Sequence, residues 1–312
     1  MIRAGSYTVG MPLDAQSPVQ EEPFSLARAY WNHRNALAGM KERISLFSRA
    51  ADDPISLSLF QFVQLAAATL EFRPDLILEL GRGAGNSTCL FTEAAHRLGL
   101  GPGRVLSLDI YDNFAQHTVP RLQPHLPADW FTPLAALRQD ILKFDFHSAL
   151  APARRILVFW DAHGFDVAEC ILGAVLPEIA GRPHLVMMHD MGDLRYGQRG
   201  NLEYGEHGIW KKTGFDGPRL KLGFIDSAVE QAISIVDFAT RNKLPLHTAD
   251  DELHSAFASD PERSAELQQL LGEMHSLSGH WLYFSLNEAP GQHTFPRFDG
   301  PGSDSQERQR PA

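Results

Sequence analysis

The stretch Asp75 to Ser87, which reads DLILELGRGAGNS, decides the fold of this chain. Its apolar run Leu76 to Leu80 has the length and branching of a buried parallel strand. Gly81, Gly83 and Gly85 follow at alternate positions, so the next turn can pass close to a ligand with no Cβ in the way. The sequence therefore predicts a strand that ends in a glycine-rich turn.

A helix is predicted directly after this turn, capped by Asn86 or Ser87 and running to about Leu98. The glycines follow the spacing G-x-G-x-G, whereas the dinucleotide fingerprint is G-x-G-x-x-G. The turn therefore fits a nucleoside better than a pyrophosphate. A tight strand-to-helix turn that binds nothing has the same pattern, and this alternative stays open.

Four further apolar segments are predicted as strands, and each ends in an acidic or titratable residue. They are Arg104 to Ile110 with Asp109, Leu134 to Gln139 followed by Asp140, Ile156 to Trp160 followed by Asp161-Ala162-His163, and His184 to Met188 followed by His189-Asp190. Right-handed crossovers place the carboxyl ends of parallel strands at one edge of a sheet, where ligands bind. We therefore predict a ligand cleft along this edge.

Two of these aspartates have a specific place in a nucleoside site. Asp109 lies about one βα unit after the glycine turn, where a carboxylate can accept both ribose hydroxyls. Asp140 is placed to accept a hydrogen bond from the exocyclic amine of an adenine, while Ile141 covers the face of the base. The alternative for both aspartates is a turn-forming role.

Taken in order, these motifs resemble the class I S-adenosylmethionine-dependent methyltransferase superfamily. The E-x-G-x-G-x-G of Glu79 to Gly85 resembles its first motif, Asp109 its ribose-binding acid and Asp140 its adenine-edge acid. FWDAHG at Phe159 to Gly164 and MMHD at Met187 to Asp190 further resemble a bacterial subgroup with DxH-like and HD-like strand ends. Many of its members methylate hydroxyls on sugars or secondary metabolites.

The resemblance covers roughly Ser56 to Leu286, with two departures. Arg82 stands where the family often has a small or acidic residue, and Met191 to Phe224 matches no general pattern. The resemblance implies S-adenosyl-L-methionine as cofactor and a small-molecule hydroxyl as acceptor. The prediction of O-methylation, as opposed to N- or C-methylation, comes mainly from this resemblance. The cofactor-binding residues that it implies are Glu79, Gly81, Gly83, Gly85, Ser87, Asp109, Ile110, Asp140 and Asp161.

Methyl transfer requires an acceptor oxygen held about 3 Å from the methyl group and helped to lose its proton. Histidine suits this task near neutral pH, and His163 is our first choice of base, with Asp161 and His189 as further catalytic candidates. Alternatively, Asp161 and Asp190 share a Mg²⁺ that polarises the hydroxyl.

Each candidate also has a simpler interpretation. His163 and His189 can merely hydrogen-bond neighbouring backbone, Asp161 can orient the amino group of the cofactor, and Asp190 can cap the next segment through Gly192. Glu79 can be a solvated charge at the end of a strand.

The segment Met191 to Phe224 combines basic residues, aromatic residues and many glycines. This composition predicts a lid over an acceptor, with Tyr204 and Trp210 as substrate-contacting residues. A long connection of this kind is uncommon unless it is functional or disordered, so a surface loop is the alternative.

Composition favours an enzyme and argues against several partners. The 312 residues are 44% hydrophobic, and 28 Lys and Arg against 38 Asp and Glu give a formal charge of −10. Acidic proteins are poor binders of phosphate backbones, so we expect no nucleic-acid partner. Ile55 to Leu70 is too short and polar to span a bilayer, so no membrane partner is expected either. Cys89 and Cys170 both fall in predicted helices, which favours a reducing cytoplasm.

The predicted fold is α/β, a Rossmann-like, doubly wound sheet of seven mostly parallel strands with helices on both faces. We predict mobile tails at 1–23 and 291–312 around one domain at 24–290, with no secretory signal in the first tail. Within the domain, 24–72 forms a helical extension and 191–224 the lid-like insertion. The extension contains a helix from about Ser25 to Ala50, which either covers the cofactor, builds a homodimer contact or simply packs on the sheet.

The end of the domain is predicted from its apolar periodicity. Ser227 to Asn242 is an amphipathic helix, and Leu244 to Thr248 and Trp281 to Leu286 are the closing strands, separated by a helix at Pro261 to His275.

Two other functional classes are compatible with such a sheet. One is an NAD(P)-dependent reductase, although the dinucleotide fingerprint and a Tyr-x-x-x-Lys pair in a suitable helix are absent from the sequence. The other is a protein that binds the cofactor and has lost catalysis, since fold alone does not fix function.

Overall fold

The structure is a computed structural model that describes residues 22–52, 57–189, 224–289 and 291–298, with only the helical backbone described for 224–230. Its sheet contains seven strands in the order β3-β2-β1-β4-β5-β7-β6. They are β1 Leu76–Leu80, β2 Val105–Asp109, β3 Leu134–Arg138, β4 Ile156–Trp160, β5 His184–Met188, β6 His247–Thr248 and β7 Leu282–Phe284.

Strands β1 to β5 are parallel to one another, and β7 pairs antiparallel with both β5 and β6. The predicted α/β fold with a mostly parallel, seven-stranded sheet is therefore confirmed. The central strands β1, β4 and β5 are buried at every position, as their continuous apolar sequences require.

Helices surround this sheet. They are α1 Leu26–Asn32, α2 Arg34–Ala38, α3 Lys41–Ala51, α4 Leu59–Phe72, α5 Asn86–Leu98, α6 Val119–Leu122, α7 Phe146–Leu150, α8 Phe165–Cys170, α9 Leu176–Ile179, α10 Phe224–Asn242, α11 Ala249–Phe257 and α12 Pro261–Leu271. The π-helical turns Phe114–Thr118 and Ile171–Val175 lead into α6 and α9. Cys89 in α5 and Cys170 in α8 are free and buried, as the predicted helices implied.

Alternate residues of the strands enter two separate apolar clusters. Ile77, Leu157 and Met187 pack with side chains from α1 to α5, α11 and α12. Leu78, Val158 and their equivalents pack with side chains from α7 to α10. Both faces of the sheet are therefore covered, and its edges and strand ends are the places left for a ligand.

The helix predicted from Ser25 to Ala50 is instead three helices. The chain leaves helical geometry at His33, whose ring contacts Glu71 at 3.0 Å, and again at Gly39 and Met40. Glycine is a poor helix former, which explains the second break. The apolar spacing was right, but it does not show where a helix bends around a neighbouring helix.

The two closing strands are shorter than predicted, and α11 lies between them in sequence. Thr248 caps α11 by accepting a hydrogen bond from the Asp251 backbone at 3.2 Å. The last predicted helix ends earlier than His275, because Gly272 has a φ of +61° and stops α12. Despite the intervening helices, β6 and β7 are direct neighbours in the sheet.

Residues 291–298 pack on the domain, although the sequence predicts a tail there. Thr294 and Asn242 exchange hydrogen bonds of 2.7 and 3.0 Å. Phe295 and Phe298 pack against the second cluster. The carbonyl oxygen of Pro296 lies so close to Gly173 that a Cβ at this position would be 2.6 Å from the oxygen. In the described part of the chain, no helix combines the length and apolar character that crossing a membrane requires.

Candidate functional site

The strand order changes direction between β1 and β4. From β1 the chain continues to β2 and β3 on one side, and β4 and β5 lie on the other side. In open α/β sheets, ligands bind outside the carboxyl ends of the strands at such a point. Gly81 and Asp161 follow these two strands, and the Asp161 amide donates to the carbonyl of Leu80 at 2.8 Å. A Cβ on Gly81 would lie 2.5 Å from the carbonyl oxygen of Asp161, so the glycine turn and the DAH segment are in direct contact.

The three glycines of the turn have positive φ angles, of +90° at Gly81, +54° at Gly83 and +88° at Gly85. Their surroundings differ. A Cβ on Gly85 would lie 2.1 Å from the ring of Phe114, whereas a Cβ on Gly83 would meet no atom within 4 Å. Gly81 and Gly85 are therefore required by packing, and Gly83 faces open space where a ligand could approach the backbone.

Asp109 holds the glycine turn from the neighbouring strand end. Its Oδ2 accepts from the backbone amides of Arg82 at 2.9 Å and Gly83 at 2.8 Å, and its Oδ1 accepts from Tyr111 at 2.7 Å. A carboxylate offers about four acceptor positions, so about one is left for a ligand. Contact with a single ribose hydroxyl suits this arrangement better than the predicted contact with both.

The apolar surface beside Asp109 comes from Ile110, one of the predicted cofactor residues, and from Tyr111, and not from Ile141. Ile110 and Tyr111 are 51% and 63% exposed at this edge, whereas Ile141 is buried in the second cluster. Asp140 accepts from the Leu142 amide at 3.0 Å and pairs with Lys143 at 3.1 Å. Asp140 therefore forms a turn in this structure, and its predicted contact with an adenine stays a prediction.

Glu79 and Ser87 do not lie at the open face of the turn. Glu79 is fully buried, and its two oxygens accept from the hydroxyls of Ser87 and Thr88 at 2.5 Å each. Burial raises the pKa of Glu79, and hydrogen bonds from Ser107, Ser87 and Thr88 and the charge of Arg82 oppose that rise. Both residues therefore tie β1 to α5 beneath the turn, and the predicted direct cofactor contact is not what the structure places here.

Arg82, the departure from the family pattern, is buried under the same turn. Its Nη1 donates to the Ser107 carbonyl at 2.9 Å and to the Leu137 carbonyl at 3.3 Å, while Nη2 reaches the Tyr111 carbonyl at 3.4 Å. The guanidinium thus joins the ends of β2 and β3. Nothing in the local sequence pointed to this role, because it depends on carbonyls that are 25 and 55 residues away.

His189 and Asp161 form a pair across the ends of β5 and β4. The Nδ1 of His189 lies 3.1 Å from the Oδ1 of Asp161, and the two side chains are 8% and 25% exposed. The Nε2 of His189 lies 2.9 Å from the amide nitrogen of Gln61 in α4. The structure therefore brings together two predicted site residues and one that the sequence missed.

The amide of Gln61 has one orientation that satisfies its neighbours. Its oxygen accepts from the Ser58 backbone at 2.9 Å, and its nitrogen donates to the Gly279 carbonyl at 2.8 Å. An amide nitrogen can only donate, so Nε2 of His189 is the acceptor and Nδ1 carries the hydrogen that Asp161 accepts. His189 therefore holds Asp161 in place. The available signal was Gln61 itself, a polar residue inside the apolar stretch Ile55 to Leu70.

His163 is partly buried and contacts a different glutamine. Its Nδ1 lies 3.2 Å from the Oε1 of Gln231, a fully buried residue of α10, and the Nε2 of Gln231 donates to the His189 carbonyl at 3.2 Å. The ends of β4 and β5 are thereby joined through α10. The sequence predicted this helix but not the inward-facing glutamine.

The structure describes only some of the predicted metal and substrate residues. Among the residues that the structure describes, no group of three or more His, Cys, Asp or Glu side chains is arranged to hold a metal ion. Asp190, Tyr204 and Trp210 lie outside the described residues, as does nearly all of the predicted lid. The Mg²⁺ site and the lid therefore stay predictions.

Comparisons with known proteins do not assign this chain to a family. A scan with models of known protein families gave no match. A search of curated protein sequences gave no significant match.

Proposed function

We propose that this protein is an S-adenosylmethionine-dependent methyltransferase that methylates a hydroxyl on a small molecule such as a sugar or secondary metabolite. The observation that carries the proposal is the direct contact between the glycine turn and the Asp161 segment where the strand order reverses. The finer layout, a doubly wound Rossmann-like domain with α1 to α4 as an N-terminal extension, belongs to the same proposal.

The residues at this edge fit the cofactor. Gly83 offers an open approach to the backbone, Asp109 has one acceptor position left, and Ile110 and Tyr111 offer exposed apolar surface. Gly81, Gly83, Asp109, Ile110 and Asp161 would hold it. When bound, S-adenosylmethionine supplies an electrophilic methyl group, so the protein has to orient the acceptor and remove its proton.

His163 is the residue that we assign to proton removal. Both ring nitrogens of His189 already have partners in Asp161 and Gln61, and His189 is nearly inaccessible. His163 is more exposed and follows Asp161 by two residues. Asp161 is held by His189, and we assign it to orienting the amino group of the cofactor. This is one of the roles that the sequence predicts for Asp161.

The acidic composition supports a small-molecule acceptor over a nucleic acid, because phosphate-backbone binding needs basic surface. Assistance by Mg²⁺, a homodimer and a cytoplasmic location remain predictions.

The test is calorimetric titration with S-adenosylmethionine, S-adenosylhomocysteine and NADH, each with and without Mg²⁺. Asp109→Asn and Gly83→Ala should each weaken binding of the two adenosyl ligands, the first by about 10-fold or more because a hydrogen bond to a charged group is worth about 1.5–3 kcal/mol. Asp145→Asn is the matched control, since that aspartate caps α7 through the Ser148 amide and is not among the predicted site residues, and it should bind as the unmodified protein does.

Two results would contradict the proposal. If neither adenosyl ligand binds, the glycine turn has another role. If NADH binds more tightly than both, the reductase alternative replaces the methyltransferase. A protein that binds S-adenosylmethionine but transfers no methyl group to any hydroxyl compound in a broad acceptor screen would support the non-catalytic alternative.

A further inference from the structure

We propose that Arg138 is a further cofactor-binding residue, which donates to the ribose hydroxyl that Asp109 leaves without a partner. This inference rests on the proposed function, because the ligand that it concerns is the adenosyl group of the cofactor. It assigns the two ribose hydroxyls to side chains at the ends of two strands, β2 and β3, instead of to one carboxylate.

Asp109 leaves half of a ribose diol unbound. The backbone amides of Arg82, Gly83 and Tyr111 already fill three of its about four acceptor positions. A carboxylate also can only accept, whereas each ribose hydroxyl both donates and accepts a hydrogen bond. The second hydroxyl therefore needs a donor from another residue at this edge of the sheet.

The strand register places Arg138 beside Asp109. Arg138 is the last residue of β3, and its Cα is the partner of the Asp109 Cα in the parallel ladder. Val105 and Leu134, four residues earlier in each strand, both pack with the first apolar cluster. Side chains alternate between the two faces of a strand, so Asp109 and Arg138 both start on the side of that cluster.

The guanidinium of Arg138 is anchored and still has donors left. Its Nε donates to the carbonyl oxygen of Ile110 at 3.2 Å, and the side chain is exposed. Within the described part of the chain, its Nη1 and Nη2 have no hydrogen-bond or ion-pair partner. Arginine has five N–H donors, so about four are left for a ligand beside the exposed side chain of Ile110.

Arg82 is a second arginine near Asp109, and its position excludes it from this role. It is 5% exposed, and its Nη1 and Nη2 donate to backbone carbonyls beneath the glycine turn. Arg138 is exposed at the end of β3 instead. The guanidinium that a ligand can reach at this edge is therefore that of Arg138.

An aspartate and an arginine at this separation match a vicinal diol. One hydroxyl donates to the carboxylate, and the oxygen of the other hydroxyl accepts from the guanidinium. Asp109 and Arg138 form no ion pair with each other in the described structure, so the ligand does not have to break one. Hydrogen bonds to ionised groups are stronger than those between neutral groups, so both contacts should contribute to affinity.

An arginine beside the ribose also has a different use in dinucleotide sites, where it holds the 2′-phosphate of NADP. The carboxylate of Asp109 argues against this use, because it would repel the phosphate. An unmodified diol therefore fits the pair of residues better.

The experiment is calorimetric binding of S-adenosylhomocysteine and of its 2′-deoxy and 3′-deoxy analogues to the full-length protein. Each analogue should bind about 10-fold more weakly than the parent, since each loses one hydrogen bond to a charged group. Arg138→Gln should weaken binding of the parent by about the same factor. One of the two analogues should then bind this variant as tightly as the parent does, because the hydroxyl that it lacks has already lost its donor.

Arg154→Gln is the matched control. Arg154 is also exposed, but it lies two residues before β4, at the opposite edge of the sheet. Its replacement removes the same charge and should leave all three affinities unchanged. If Arg138→Gln weakens the three ligands equally, Arg138 contributes only its charge and the inference is overturned. Unchanged binding in Arg138→Gln would overturn it as well.

NADH and NADPH distinguish the failure of this inference from the failure of the proposed function. If S-adenosylhomocysteine binds and Arg138→Gln leaves the discrimination between the three ligands unchanged, the inference alone fails. If S-adenosylhomocysteine does not bind, both fail. If, in addition, NADPH binds and Arg138→Gln weakens NADPH but not NADH, Arg138 holds a phosphate in the reductase alternative.

Discussion

His163 and His189 follow two adjacent parallel strands, yet the structure gives their rings opposite surroundings. The ring of His189 is nearly inaccessible and is held between Asp161 and Gln61. The ring of His163 is partly buried and contacts Gln231 through Nδ1. Residue type and strand position are the same in both cases. The comparison teaches that residue type and strand position do not determine how a histidine ring is held, because the helices packed against the strand ends supply different partners.

The largest expected effect is the loss of methyl-transfer activity when the ring of His163 is removed. His163→Ala should lower the rate of methyl transfer by about 10²- to 10⁴-fold, the usual contribution of a general base. Transfer of a labelled methyl group from S-adenosylmethionine to an acceptor found by screening measures it. His147→Ala, on an exposed histidine of α7, is the control and should keep full activity. Full activity in His163→Ala would show that His163 is not the general base.

The next effect separates the rings by stability. His189→Ala should lower the free energy of unfolding by about 2–4 kcal/mol, because Asp161 and Gln61 lose a partner and a buried ring is replaced by a cavity. The same change at His163 should cost less than about 1 kcal/mol, since this ring is less buried. Urea denaturation measures both. Equal losses would mean that the two rings are structurally equivalent.

A third histidine, His184 at the start of β5, extends the comparison to pH. Burial lowers the pKa of His184, so the folded state binds fewer protons than the unfolded state. Its stabilising contribution is therefore complete above the unfolded pKa of about 6.5 and is lost as the pH falls below it. His184→Asn should destabilise the protein more at pH 8 than at pH 5. Thermal melts at both pH values measure this, and a constant difference would contradict it.

His247 in β6 should give the smallest effect and the opposite sign. A hydrogen bond from His247 to Glu288, 2.7 Å long, raises the pKa of His247. Its contribution is therefore complete below the unfolded pKa and is lost as the pH rises through the folded pKa. The side chain is 36% exposed, so solvent limits the effect to less than about 1 kcal/mol. His247→Gln should cost more at pH 6 than at pH 9, and the reverse order would contradict the pairing.

The buried strands were the part of the fold that the sequence predicted best. The bounds of β1, β4 and β5 and the end of α5 at Leu98 are confirmed, because continuous apolar runs between glycines and charged residues leave few alternatives. The predicted cap of α5 was wrong: its N-cap is Gly85, and Asn86 and Ser87 lie in the first turn of the helix. The breaks between α1, α2 and α3 and the position of α11 were not predicted. They depend on packing against α4 and α12, which a local pattern does not contain.

The candidate site was predictable to the level of its edge. Gly81, Asp109, Asp161 and His189 meet there because parallel strands end together. The inward position of Glu79 and the two glutamines could not be predicted, because each depends on a partner from another element. The turn at Asp140 is local, and it was one of the two alternatives that the sequence left open. A glutamine in an apolar helix signals a buried hydrogen bond, but its partner is visible only in three dimensions.

The bond from Gln61 to Gly279 has a consequence for biosynthesis, because 218 residues separate its two ends. At a synthesis rate of about 5–20 residues per second, about 10–45 s pass between the appearance of Gln61 and that of Gly279. The parallel strands β1 to β5 are all made in that interval, while the carbonyl that fixes the Gln61 amide does not yet exist. A nascent chain can therefore assemble most of the sheet before the Gln61 amide that contacts His189 acquires its Gly279 partner, and the surroundings of His189 are complete only once the last strand has been made.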